Sequence, residues 1–200
     1  MEQMNLIGKI AAEANGIIRK SKLSEAGITD YRIRCLIKLG ILQRIKPGYY
    51  RLLSESDDIS EAALVSKLFP DGVLCMYTAL FYYKYSDRTP LAWDIAINKD
   101  TSKSRFKLDY PYLQPYFLEP EFLSFGISSI EIDGSTMKIF DRDRLICECI
   151  FYENKIARET YNKAIQGYIA DTKKNIANLM KYAEKRRISK KVKERIEMWL

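Results

Sequence analysis

The 200-residue chain is 47% hydrophobic, carries a net charge of +7 and contains no histidine. This is the composition of a globular protein of one large or two small domains, and no apolar run reaches the ~18–20 residues of a membrane span. Without histidine, neither Ser-His-Asp nor Cys-His catalysis is open to it.

The opening stretch, MEQMNLIGKIAAEANG, carries an early acid and is broken by Lys9 and Glu13. It makes a poor signal peptide, so a cytoplasmic location is expected. Met4, Ile7, Ala11 and Ala14 recur at helical spacing, which predicts a first helix ended by Asn15-Gly16. Ile17-Ile18 reads as a short extended link. Ser21 is the expected N-cap of a brief second helix closed by Gly27, and Thr29 that of a third, DYRIRCLIKL, closed by Gly40. On the third helix Ile33, Leu36 and Ile37 share one side. Tyr31, Arg32, Arg34 and Lys38 are left to the others.

Two short strands, Gln43–Ile45 and Tyr49–Leu52, flank Lys46-Pro47-Gly48. Proline presets the turn, and glycine accepts the positive φ that follows. A type II turn is not the favoured two-residue hairpin turn, so the loop could be longer. Strand alternation puts Tyr50 and Leu52 on the expected inner face, with Tyr49 and Arg51 on the outer one. Residues 1–53 hold ten Lys/Arg against four Asp/Glu. Three helices, a hairpin and this basic balance predict a winged helix-turn-helix over residues 1–53. In such a module the third helix enters the major groove of DNA, and the hairpin touches an adjacent groove or the backbone. Arg32 and Arg34 suit guanine edges. Tyr31, Lys38, Arg44 and Lys46 suit phosphates, and Tyr49 is a further contact. The alternative is the same fold used for protein contacts.

The polar run SESDD (54–58) reads as a linker before a second domain, residues 59–200. Residues 54–154 are acidic, with seventeen Asp/Glu against ten Lys/Arg. Ser60 is the expected cap of a helix over EAALVSKLF, and residues 75–85 read as helical. AWDIAIN, YFLEP and ISSIEID read as strands. Asp133-Gly134 is a hairpin signal ahead of TMKIF. Asp141 is the expected cap of a helix bearing Leu145, Ile146, Cys149 and Ile150. Three further helices are expected near 156–170, 172–186 and 189–199, with Asp171 and Ser189 as caps. The last 46 residues hold thirteen Lys/Arg against five Asp/Glu. There Ile188, Val192, Ile196 and Leu200, beside Trp199, form an apolar stripe opposite Lys185, Arg186, Arg187, Lys190 and Lys191. The fold class expected is therefore α+β, a winged helix followed by a mixed α/β domain with a helical end.

Cys35, Cys75, Cys147 and Cys149 suit reduced thiols. One C-x-C pair without histidine is not a zinc knuckle, and neither metal nor cofactor is expected. Gly134-Ser135 ahead of Asp141 and Asp143 resembles the magnesium-binding signature of nucleotidyltransferases. Only five residues separate Ser135 from Asp141, however, too few for the intervening helix. Glu153-Asn154-Lys155 has the order of a nuclease site, but its spacing is permissive. A magnesium-dependent nucleotidyl- or phosphoryl-transfer enzyme in the second domain is thus the alternative to a non-enzymatic role.

GITDYRIRCLIKLGILQRIKPGYYRL resembles the N-terminal region of the AbiEi family, the antitoxins of type IV toxin–antitoxin and abortive-infection systems. FPDGVLCMYTALFYYKYSDRTPLAWDIAIN (69–98) and MKIFDRDRLICECI (137–150) look like the family's second and third blocks. Glu148 stands where the family pattern has Asp, and Tyr82-Tyr83 where it has His and Gly, which marks a divergent member. The resemblance implies an operator-binding N-terminal module that represses its own operon on double-stranded DNA. It also implies a C-terminal part that counteracts a nucleotidyltransferase-type toxin without a stable complex. No membrane partner is implied, and a palindromic operator would call for two copies of the chain.

Overall fold

The computed structural model describes residues 2–14, 16–53 and 60–197. Asn15, the expected linker at 54–58, Trp199 and Leu200 lie outside the described residues. The chain is mixed α+β and divides into two compact units. The first comprises Met1–Leu68 with Lys103–Tyr112, and the second Phe69–Ser102 with Leu113–Leu200. The first unit thus reaches beyond residue 53. It takes in a helix and a distant segment that the sequence reading assigns to the second domain.

In the first unit, helix α1 (Glu2–Glu13) leads to strand β1 (Ile18–Arg19), then α2 (Lys20–Glu25), α3 (Asp30–Lys38), β2 (Leu42–Lys46), β3 (Tyr49–Leu52) and α4 (Glu61–Leu68). The strands form an antiparallel sheet in the order β1-β3-β2. Ile7 and Ala11 of α1 pack with Ile18, Leu23, Ile28, Ile33, Leu36, Leu42 and Tyr50 in one core. Met4 is exposed, so α1 buries the middle of its apolar stripe and not the start.

Three local expectations need correction. Helix α2 starts at Lys20, with Arg19 at the N-cap and no side-chain cap, so Ser21 lies inside it. Its reason is β1: pairing of Arg19 with Tyr49 holds the chain extended up to that point. The hairpin loop is no longer than two residues, since Lys46 pairs with Tyr49 across Pro47-Gly48. Gly48 has φ +81°, and a register shift between Arg44 and Lys46 takes up the twist that such a turn mismatches. Arg51, expected outside, is buried. It alternates with Tyr50 onto the opposite face, where the Tyr110 ring covers its guanidinium at 4.5 Å and Gln43 Oε1 accepts from its Nε at 2.6 Å.

The second unit has a five-stranded mixed sheet in the order β6-β5-β4-β8-β7. Its strands are β4 (Val73–Leu74), β5 (Trp93–Asn98), β6 (Leu113–Leu118), β7 (Ile127–Ile132) and β8 (Ser135–Phe140). Asp133 and Gly134 take positive φ, 47° and 72°, as a tight hairpin between β7 and β8 requires. The helices are α5 (Met76–Tyr82), α6 (Arg142–Phe151), α7 (Arg158–Ala170), α8 (Ile176–Lys185) and α9 (Ser189–Ile196). Helix α6 touches α5, α7, α8 and α9, and everything from Asp143 to Ile150 is buried. Asp141 caps it as expected, accepting from the Arg144 amide at 2.7 Å. Asn175 caps α8 instead of Asp171, and Ser189 is the first residue of α9, behind Ile188.

A helix buried on every side must pair its charges. Glu148, one turn after Arg144, receives Arg144 Nε at 2.8 Å and Arg186 Nη2 at 3.0 Å. The Arg144 guanidinium lies between the rings of Phe125 and Phe140, and that of Arg186 between Phe122 and Phe151. No helix among the described residues is long and apolar enough to cross a membrane.

Candidate nucleic-acid interface

Helix α3 is positioned by both ends and one face. Thr29 Oγ1 accepts from the Arg32 amide at 3.3 Å, and Gly27 and Gly40 take positive φ on either side. Ile33 and Leu36 are buried to 2% exposure and fix the rotation of the helix. At about 100° per residue, Tyr31, Arg34 and Lys38 then share the arc opposite Ile33 and Leu36. All three are exposed, Tyr31 at 71%. Cys35 lies in the same arc, half-buried. Arg32 is exposed on the flank of this arc. Asp30, the acid of the first turn, is paired with Lys20 at 2.8 Å.

The hairpin adds a second group. Lys46 Nζ lies 4.5 Å from the centre of the Tyr49 ring, and the Arg19 guanidinium 5.9 Å from it. Lys20 N donates to Gly48 O at 2.8 Å, which ties the turn to the start of α2. Arg19 is exposed and Lys46 half-buried, so two cationic side chains flank the Tyr49 ring at the hairpin. Arg44 is exposed but engaged, its Nε 2.7 Å from Asp109 Oδ2. The geometry thus groups Tyr31, Arg34 and Lys38 on α3, and Lys46 and Tyr49 at the hairpin. It leaves Arg32 on the flank and Arg44 with a carboxylate partner.

Arg19 is missing from the sequence-based set. Its proximity to Tyr49 depends on the two-residue strand β1, too short to leave a periodic signal. Asp109 lies 65 positions from Arg44 and has no local signature at all. Among the chemistry available here are guanidinium forks, ammonium groups and a phenol, which together suit phosphate oxygens and the acceptor edge of guanine.

The other sequence constellations are engaged in packing. Asp141, besides its cap, accepts from Tyr182 Oη at 2.9 Å. Buried Asp143 accepts from Tyr168 Oη at 2.7 Å and from the Asn175 amide at 2.8 Å. Glu153 is clamped by Arg195 at 2.9 and 3.1 Å, which holds its carboxyl below the usual range. The thiols of Cys75, Cys147 and Cys149 are buried, and burial pushes that of Cys147 up to about 12. Among the described residues no group of three or more acidic or thiol side chains could hold a metal ion. No protein-family model matches the chain, and no curated protein matches it.

Proposed function

We propose that the chain is an antitoxin-like transcriptional regulator without enzymatic activity. Its first unit serves as a winged helix-turn-helix that binds double-stranded operator DNA and represses its own operon. Its second unit counteracts a nucleotidyltransferase-type toxin. The observation that carries the DNA-binding reading is the exposed arc of Tyr31, Arg34 and Lys38, opposite the buried Ile33 and Leu36. Lys46 and Arg19 stand around Tyr49 on the adjoining hairpin. A helix held on its apolar side and cationic on its free side is what major-groove docking asks for, and a basic hairpin supplies phosphate contacts. The toxin part rests on the resemblance of the three sequence blocks to the AbiEi family.

A promoter–reporter fusion tests the repressor part. The chain should silence its own upstream region, and an Arg34→Ala/Lys38→Ala variant that stays folded should release it. Unchanged silencing by that variant would remove α3 from the reading. Co-expression with a nucleotidyltransferase-like product of a neighbouring gene tests the antitoxin part, with restored growth expected and persistent arrest contradicting it.

A further inference from the structure

Arg44 reads from sequence as a phosphate contact, yet its guanidinium already holds an oxyanion. Asp109 Oδ2 lies 2.7 Å from Arg44 Nε and Oδ1 3.4 Å from Nη2. Two-pronged pairing of this kind is the geometry by which arginine also takes a phosphate. The carboxylate is held in place by its neighbours. At the register shift between Arg44 and Lys46, the Ile45 carbonyl receives the amides of Asp109 and Tyr110, at 2.7 and 3.2 Å. The next ring along, Tyr110, covers Arg51, which is itself fixed by Gln43 across the β2–β3 ladder. Residues 103–112 contain Lys103, Arg105 and Lys107 but a single acid. That acid is the group set against the hairpin arginine.

We infer that Asp109 is an intramolecular phosphate mimic that occupies Arg44, so that residues 103–112 hold down the affinity of the hairpin for the DNA backbone. The inference rests on the DNA-binding reading above. Both partners of the pair are about half exposed, so the contact is weak enough for a phosphate to displace it, and competition is graded. The pair therefore lowers affinity by a modest factor and does not block binding.

Binding of the full chain to its own promoter fragment, titrated at several salt concentrations, tests this. Asp109→Asn, which keeps the shape and removes the charge, should bind about two- to five-fold more tightly. Its slope of log affinity against log salt should steepen by about one, for one added phosphate contact. In an Arg44→Gln background the same change should give no gain. Unchanged or weaker binding by a folded Asp109→Asn variant would overturn the inference, while leaving specific binding by the wild type intact. An equal gain in the Arg44→Gln background would also overturn it, by showing that the lost charge acts at long range. If neither wild type nor Asp109→Asn distinguishes promoter from random DNA, the DNA-binding reading itself fails and takes this inference with it. Circular dichroism melting curves of each variant separate these outcomes from loss of folding.

Discussion

Glu148 faces two buried guanidinium groups, those of Arg144 and Arg186. Burial pulls the Arg144 pKa down, and the Glu148 charge opposes that pull. Glu148→Gln keeps the volume but leaves both cations without a counter-charge, so a loss of about 3–5 kcal/mol is expected in denaturant unfolding. Asp94 is the opposite case. It accepts from the Thr78 amide at 3.0 Å, yet burial pushes its pKa up to about 7. The unfolded chain releases this proton near pH 4, so between about pH 4 and 7 the folded state binds more protons than the unfolded one. Stability therefore falls as pH rises through that window, by up to about 4 kcal/mol. Asp94→Asn should flatten this slope in unfolding curves measured from pH 4 to 8. At this scale the sequence reveals alternation but not cover. It puts Arg51 and Tyr50 on opposite faces, and nothing near Arg51 announces that Tyr110 will lie over it.

Among the elements, chemical punctuation was legible only in part, since Ser21, Asp171 and Ser189 do not cap the helices they were expected to cap. Thr29, Ser60 and Asp141 cap the helices they were expected to cap, and Asp133-Gly134 turns β7 into β8. Asp141→Ala should cost about 1 kcal/mol for the lost cap, and more where the Tyr182 hydroxyl also loses its acceptor. Gly126 was invisible. It has φ +64°, and a Cβ there would come within 2.6 Å of Arg144 Cβ. Gly126→Ala should therefore destabilise the second unit measurably in a thermal melt, through both strain and the displaced arginine. Helix α6 was half legible. The helix bearing Leu145, Ile146, Cys149 and Ile150 forms where it was expected, but nothing in its sequence announces that Arg144 and Glu148 are buried with them. Phe140 lies just ahead of the helix, but their other partners, Phe125 and Arg186, come from distant parts of the chain. The extended link expected at Ile17-Ile18 is strand β1, one residue further on, but two residues cannot show a period, so its pairing and Arg19 beside Tyr49 were not legible.

On the scale of the whole molecule, basic charge at the N-terminal end became a surface once Ile33 and Leu36 fixed the rotation of α3. The extent of the first unit was not legible, because residues 103–112 return to it from far along the chain. That return is also what places Asp109 against Arg44. The proposed function depends above all on sequence-selective DNA binding. The most direct measurement is an equilibrium titration of the full chain on its own promoter fragment and on a scrambled fragment of equal length, from about 50 to 200 mM salt. Tighter binding to the promoter and a linear fall of log affinity with log salt are expected. Arg34→Ala/Lys38→Ala should lose both selectivity and part of the slope. Equal affinity for the two fragments, with α3 substitutions changing nothing, would contradict the proposed function.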